Sequence, residues 1–230
     1  AMAIPEIIHH FPENEVIVLD DAFQHRYVKP NLNILLTDFN FPFFNDFVMP
    51  SGRLREARKG ARRADIIVVT KCPNDLSSDR REKYLMKIQK YSNNSTNIFF
   101  TKIDYGTPNG IGNQMEMSEN LILFTGIANN EPLKTFLSEK YNLIQTISFS
   151  DHHHYSKSDF AKIERIFITL SKEYNCSIIT TEKDMVKLKG SSLEPLVLNL
   201  PLFYIPIEVS FINDGAIFDG MVLNSIKRNQ

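Results

Sequence analysis

Short apolar runs, each closed by a polar or charged cluster, recur along the chain and alternate with amphipathic stretches. VIVL at 16–19 leads into Asp20 and Asp21. NILLT follows at 33–37, ADIIVVT at 64–70, NIFFT at 97–101, LILFT at 121–125, IQTIS at 144–148 and CSIIT at 176–180. Each is short and rich in β-branched or aromatic residues, the composition of strands. VIVL lacks the alternation of a half-exposed strand and is expected to be buried on both faces, as in a parallel sheet. Between these runs, 77–91 carries Leu85 and Ile88 on a charged background behind a Ser77 or Ser78 cap. Residues 131–140 and 158–173 show the helical period, with Phe160, Ile163, Ile166, Phe167 and Leu170 on one face of the latter.

Strands alternating with helices predict an α/β fold with a doubly wound, mainly parallel sheet. Asp20 and Asp21 would then sit at a strand's carboxyl end, where open α/β sheets bind their ligands. The Gly-, Asn- and Pro-rich stretch 105–120 reads as a linker or long hairpin between two halves, 1–104 and 121–230. LEPLVLNLPLFYIPIEVSF at 193–211 contains three prolines and reads as edge strands. No internal repeat or sustained heptad is present.

Composition narrows the function classes. The 230 residues, 43% hydrophobic, suffice for one large domain or two small ones. A net charge of -1 gives no global attraction to nucleic acid, so none is expected as a partner and electrostatic recognition must be local. Cys72 and Cys176 lie far apart without a partner motif and read as reduced thiols. No apolar run approaches the roughly 18 residues that span a bilayer, and no signal peptide is visible. The opening supplies about one short helix before the VIVL run, so the start reads as truncated, with an Ala-Met that resembles a cloning remnant.

Four clusters carry candidate chemistry. Asp20 and Asp21, followed by Gln24 and His25, end an apolar run in the manner of a Walker B element that holds Mg²⁺; alternatively the pair caps a turn. PSGRLREARKGARR at 50–63 sets Arg53, Arg55, Arg58, Lys59, Arg62 and Arg63 against the single acid Glu56. If LREARKGARR begins a helix, cations at its amino end imply a bound phosphate. A solvated basic face, or attraction to an anionic membrane, are the other readings. SDHHHY at 150–155 offers Asp151 and His152 for proton handling, or an exposed loop; consecutive histidines make a poor metal box because they point apart. Thr181, Glu182, Lys183 and Asp184 end the CSIIT run, or open an exposed helical turn. Four such run ends favour one shared cleft.

DDAFQHR, PSGRLREA, ADIIVVTK, FTGIAN, FSDHHHY and TTEKDMVKL, in this order, resemble the motifs of the tetraacyldisaccharide 4'-kinase (lipid A 4'-kinase) family, over about 16–207. The resemblance implies a P-loop-type kinase that transfers the γ-phosphate of ATP to the 4'-hydroxyl of a tetraacyldisaccharide 1-phosphate. It implies ATP and Mg²⁺ at Asp20 and Asp21, with Gln24 and His25 in support. Arg55 and Glu56 would line the active cleft, with Arg53 and Arg58 on phosphates. His152, after Asp151, would partner the family's catalytic aspartate in a base dyad, and Thr181, Glu182, Lys183 and Asp184 would lie with the substrate or its phosphates, without an exact role. Ala22, Ala57 and the extra residue in GIANNEP depart from the usual motifs in loops. The family's Walker A loop, catalytic aspartate and membrane-docking helix lie upstream of these motifs, so the chain reads as a carboxyl-terminal portion that lacks turnover alone. The implied location is the cytoplasmic face of the bacterial inner membrane, peripherally bound, with a lipid substrate and no obligate protein partner. Two other readings are a non-catalytic anion- or lipid-binding module and a metal-dependent phosphohydrolase using the DD and DHHH elements.

Overall fold

A computed structural model of the chain describes residues 3–111 and 116–227, which form two compact units. The first comprises 1–103 and 209–230, the second 104–208. The elements run α1 (Ala3–His10), β1 (Ile34–Asp38), β2 (Ile66–Thr70), α2 (Ser78–Gln89), β3 (Asn97–Tyr105), β4 (Asn109–Gly110) and β5 (Asn120–Thr125). They continue with α3 (Glu131–Lys140), β6 (Asn142–Ser148), α4 (Lys157–Leu170), β7 (Cys176–Thr181), α5 (Glu182–Leu188), α6 (Glu194–Leu198), β8 (Leu202–Ile205), β9 (Ile207–Phe211) and α7 (Gly215–Lys227).

The first unit holds a four-stranded sheet in the order β1-β2-β3-β9, with β1, β2 and β3 parallel. Alternation along β2 sends Ile67 and Val69 to one face, into a core with Phe39, Phe43, Phe44, Ile88 and Phe100. Ile66 and Val68 face the other way, where Phe99 meets Phe211, Phe218 and Met221 of the carboxyl-terminal segment. That aromatic contact places 209–230 in the first unit, whereas the spacing of turn residues suggested that everything after 120 forms one half. Helix α2 starts where expected: the Ser77 side chain accepts from the Arg80 N–H.

The second unit is a five-stranded sheet in the order β4-β8-β7-β5-β6, parallel except for the β4–β8 pair. Leu121, Leu123 and Ile179 face Leu133 and Leu137 of α3. Ile122, Phe124 and Ile178 face Phe160 and Ile163 of α4. Helix α4 opens with a reciprocal capping box between Ser156 and Asp159. Each unit is therefore α/β with a mainly parallel sheet covered on both faces, and the strands and helices are distributed over two sheets rather than one.

Three expectations are corrected. The 16–19 run is not a strand: among the described residues it pairs with nothing, and Val16, Val18 and Leu19 are 48%, 86% and 41% exposed. A doubly buried strand needs hydrogen-bonding neighbours and cover on both faces, and the run has neither. LREARKGARR does not start an α-helix; 58–63 forms tight 3₁₀ turns, which removes the helix-terminus argument for phosphate. The 193–211 stretch is mixed: Glu194–Leu198 is helical with its proline in the first turn, and β8 is buried beside β7. Pro201 and Pro206 flank β8, so they end the strand rather than expose it. Of the 105–120 segment, 112–115 lie outside the described residues, and Asn109–Gly110 are paired as β4.

Candidate functional site

In the first unit Asp20 and Asp21 stand on a turn, exposed, with Asp21 at a φ of 47° that short polar side chains tolerate. Arg55 donates from Nη1 to Asp21 Oδ2 at 2.8 Å. Both partners are solvated, so the pair contributes little to stability and can be exchanged for other ions. Gln24 and His25 are exposed on the following turn, which the His25 N–H closes by donating to the Ala22 carbonyl. Phe23 ties this segment to the unit: its ring packs on the core, and the Arg63 guanidinium lies 4.7 Å above it.

The basic loop is internally braced. Glu56 accepts from Arg63 at 2.6 Å and from Arg26 at 3.1 Å. Burial pushes the Glu56 carboxyl up, but the two guanidiniums outweigh it and hold it below its ordinary value. Gly60 runs so close that a Cβ there would meet the Glu56 carboxyl at 2.6 Å. Asp46 accepts the N–H groups of Phe47 and Arg53, which lower its pKa. Arg53 lies 4.1 Å over Phe41 and also reaches Asp46. Arg58 donates to the Asp46 carbonyl and to the Tyr91 hydroxyl. Arg58 and Arg63 thus act as struts. Arg53 and Arg55 keep 65% and 58% of their side-chain surface in solvent. A shallow depression of about 290 Å³ is lined by Arg26, Glu56, Ala57, Lys59, Gly60 and Arg63.

In the second unit the sheet order brings three strand ends together, because β5 lies between β6 and β7. Asp184, fully buried in the first turn of α5, is the centre. Its Oδ2 accepts from the Gly126 N–H after β5 at 2.8 Å and from the Thr181 hydroxyl at 2.9 Å, and its Oδ1 accepts from Lys187 Nζ at 2.9 Å. Gly126 is closely approached: a Cβ there would stand 3.1–3.2 Å from His153, Asp184 and Tyr155, so these neighbours would have to give way. Burial, and then the Asp184 charge, push the Tyr155 phenol far above its ordinary value. Asn130 bridges the β5 and β6 ends by donating to Thr125 and Ser148 hydroxyls.

Outside this buried brace stands an exposed trio. Lys183 Nζ meets Asp151 Oδ1 at 3.1 Å, and the His152 N–H donates to the same oxygen at 2.9 Å. The Lys183 ammonium, and then the His152 N–H, hold the Asp151 carboxyl below its ordinary value. His152 has a φ of 56° and a side chain 77% exposed, with Nε2 3.7 Å from Asp151 Oδ2. His153 turns inward instead, stacking on Phe149 and meeting Asp159 at 3.1 Å. Among the described residues no three His, Cys, Asp or Glu side chains converge as a metal cluster.

The candidate residues are thus divided between the units: Asp20, Asp21, Gln24, His25, Arg53, Arg55, Glu56 and Arg58 belong to the first, Asp151, His152 and 181–184 to the second. Thr181 and Asp184 face each other rather than solvent, whereas Glu182 is exposed and Lys183 partly so. Gly126, Tyr155 and Lys187 fall within the quoted motifs but are not among the candidate site residues read from the sequence. The one available signal was Lys187 three residues after Asp184, the helical ion-pair spacing.

Comparison with known proteins gives a consistent picture. The family model described as tetraacyldisaccharide-1-P 4'-kinase (LpxK) matches residues 1–227. The tetraacyldisaccharide 4'-kinase of Flavobacterium johnsoniae is 39% identical over 98% of this chain and 64% of its own length. That of Phocaeicola vulgatus is 36% identical over 96% and 62%. LpxK from Aquifex aeolicus, crystallised in complex with ATP, shares the fold with a TM-score of 0.61 at 21% identity, over 96% of this chain and 60% of that one. The chain spans a little over three fifths of the length of these curated relatives. With a family model matched from end to end of the described residues, this chain belongs to the tetraacyldisaccharide-1-P 4'-kinase family.

Proposed function

We propose that the chain forms part of an ATP-dependent kinase that phosphorylates the 4'-hydroxyl of a tetraacyldisaccharide 1-phosphate in lipid A biosynthesis. The observation that carries this reading is the family match over 1–227. In this reading Asp20 and Asp21 hold Mg²⁺–ATP. Two exposed, adjacent carboxylates fit that ion, which takes one or two carboxylates along with phosphate oxygens and keeps several waters. When bound, Mg²⁺ neutralises phosphate charge. Arg55, now on Asp21, has the reach and exposure to exchange that carboxylate for a phosphate oxygen, and Arg53 offers a second fork. Gln24 and His25 follow the carboxylates on the next turn. Glu56 and Arg58 keep the loop in shape. His152 presents its imidazole to solvent and handles the acceptor's proton, with Asp151 orienting it. In a protein extended to the relatives' full length, ATP, Mg²⁺ and the disaccharide 1-phosphate are expected to yield the 4'-phosphorylated lipid. Phosphate transfer to water alone would overturn the kinase assignment.

A lipid acceptor calls for peripheral contact with an anionic bilayer, at the cytoplasmic face of the inner membrane. The supporting observation lies beside Arg53: Phe41, Phe47 and Met49 are 59%, 62% and 61% exposed within one short loop. Aromatic side chains next to arginines suit the interface of anionic lipid. The chain has no tryptophan, so Phe47→Trp supplies a unique reporter. Its emission is expected to shift to the blue on anionic vesicles and not on neutral ones. Replacing Phe41 and Met49 by serine should weaken binding by about tenfold.

A further inference from the structure

We propose that Lys183 is a positioning residue for His152, acting through Asp151; this rests on the proton-handling role of His152 given above. The geometry of the trio is one-sided. Asp151 has two carboxylate oxygens. Oδ1 is taken both by the Lys183 ammonium at 3.1 Å and by the His152 backbone N–H at 2.9 Å. Oδ2 is left toward the imidazole, 3.7 Å from Nε2, too far for a hydrogen bond. The aspartate is thus held by a lysine and a backbone amide, while the imidazole remains unclamped.

Two consequences follow. The N–H bond to Oδ1 is local to the left-handed residue, so fixing that oxygen fixes the direction in which the His152 side chain leaves the backbone. Second, the ammonium supplies a cation to Asp151 beside the imidazole, so the carboxylate does not depend on a protonated His152 for its charge partner. Lys183 is well placed for this work. It stands in the first turn of α5, one residue before Asp184, whose buried carboxylate fixes that turn to the β5 and β7 ends. The charged groups facing the trio are Lys183 from α5 together with Asp151 and His152 themselves; His153 is turned away toward Asp159, and Lys187 toward Asp184 and the His153 carbonyl. A phosphate-contacting lysine, the reading from sequence, would leave Asp151 without its present ion pair.

The test compares Lys183→Met, Lys183→Arg and His152→Gln. In this chain, carboxyl-carbon NMR titration should show the Asp151 pKa rising toward its ordinary value in Lys183→Met and staying low in Lys183→Arg. An unchanged Asp151 titration in Lys183→Met would overturn the inference without touching the kinase reading. In the protein extended to the relatives' length, Lys183→Met should lower kcat by about tenfold with KM for ATP nearly constant, because a misdirected catalytic group costs rate rather than binding. Lys183→Arg should recover most of that loss. A rise in KM for ATP at constant kcat would identify a phosphate contact and overturn positioning. If His152→Gln lowers kcat and Lys183→Met does not, the inference fails alone. If His152→Gln itself leaves kcat intact, the proton-handling reading fails first.

Discussion

Replacing His152 by glutamine is expected to lower kcat at least about 100-fold while changing KM for either substrate by less than about threefold. The side chain is exposed and makes no core contact, so its loss removes chemistry rather than packing. It leaves the backbone at a left-handed residue whose N–H is fixed by Asp151, at the carboxyl end of β6 in a parallel sheet. A group held there has a defined direction and open access to an acceptor hydroxyl. Glutamine keeps the size and a hydrogen-bonding end but takes up no proton near neutrality. The measurement is steady-state phosphorylation of the disaccharide 1-phosphate, in protein extended to the relatives' length, with circular dichroism to establish that the fold is intact. An unchanged kcat would make His152 a structural loop residue and remove proton handling from this end of the sheet.

Asp184→Ala is expected to destabilise the second unit by about 3 kcal/mol or more, the range for breaking a buried charge pair by removing one partner. Alanine leaves the Gly126 N–H and the Thr181 hydroxyl without their acceptor, and leaves the Lys187 ammonium, only 24% exposed, without its carboxylate. Because these groups come from the ends of β5 and β7 and from α5, the loss should be felt across strands rather than in one helix turn. Asp184→Asn keeps an acceptor oxygen and should cost less, about 1–2 kcal/mol. Urea unfolding followed by amide exchange in β5 and β7 reads both values. A loss below about 1 kcal/mol in Asp184→Ala would mean that water replaces the carboxylate and that the brace is not a stability element.

These two aspartates and one histidine illustrate how far a linear reading reaches. Asp151 and Asp184 are placed alike in sequence, each a few residues after an apolar run that forms a strand. One is exposed and near His152; the other is fully buried and braces three segments. Their neighbours in sequence do not tell which one is buried, because burial depends on which strands become adjacent. Gly126 stands in the sequence within FTGIAN, but the reason for a glycine there comes from Asp184, Tyr155 and His153 crowding it from distant positions. The 16–19 run failed in the opposite direction: its composition is that of a buried strand, but strand formation needs a ladder partner, and none stands beside it among the described residues. Arg58 is expected on phosphates, and Arg63 belongs to the same basic run, because a run of arginines with a single acid suits an anion. In the fold their guanidiniums are committed to Asp46, Tyr91, Glu56 and Phe23.

By itself the sequence determined the element types and the class of fold. Apolar period, N-caps and turn residues act within a few positions, so β2, β5, β7, α2, α3 and α4 lie where the pattern put them. The ordered motifs, from DDAFQHR to TTEKDMVKL, also carried the family. Tertiary structure alone decided the rest: that the strands divide into two sheets, that 209–230 returns to the first, and which polar residues at the strand ends are buried struts and which meet solvent. The physical reason is the range of the interactions. Helix and turn preferences are local free energies, whereas strand order and side-chain burial are set by contacts between residues far apart in the chain, which no window of sequence contains.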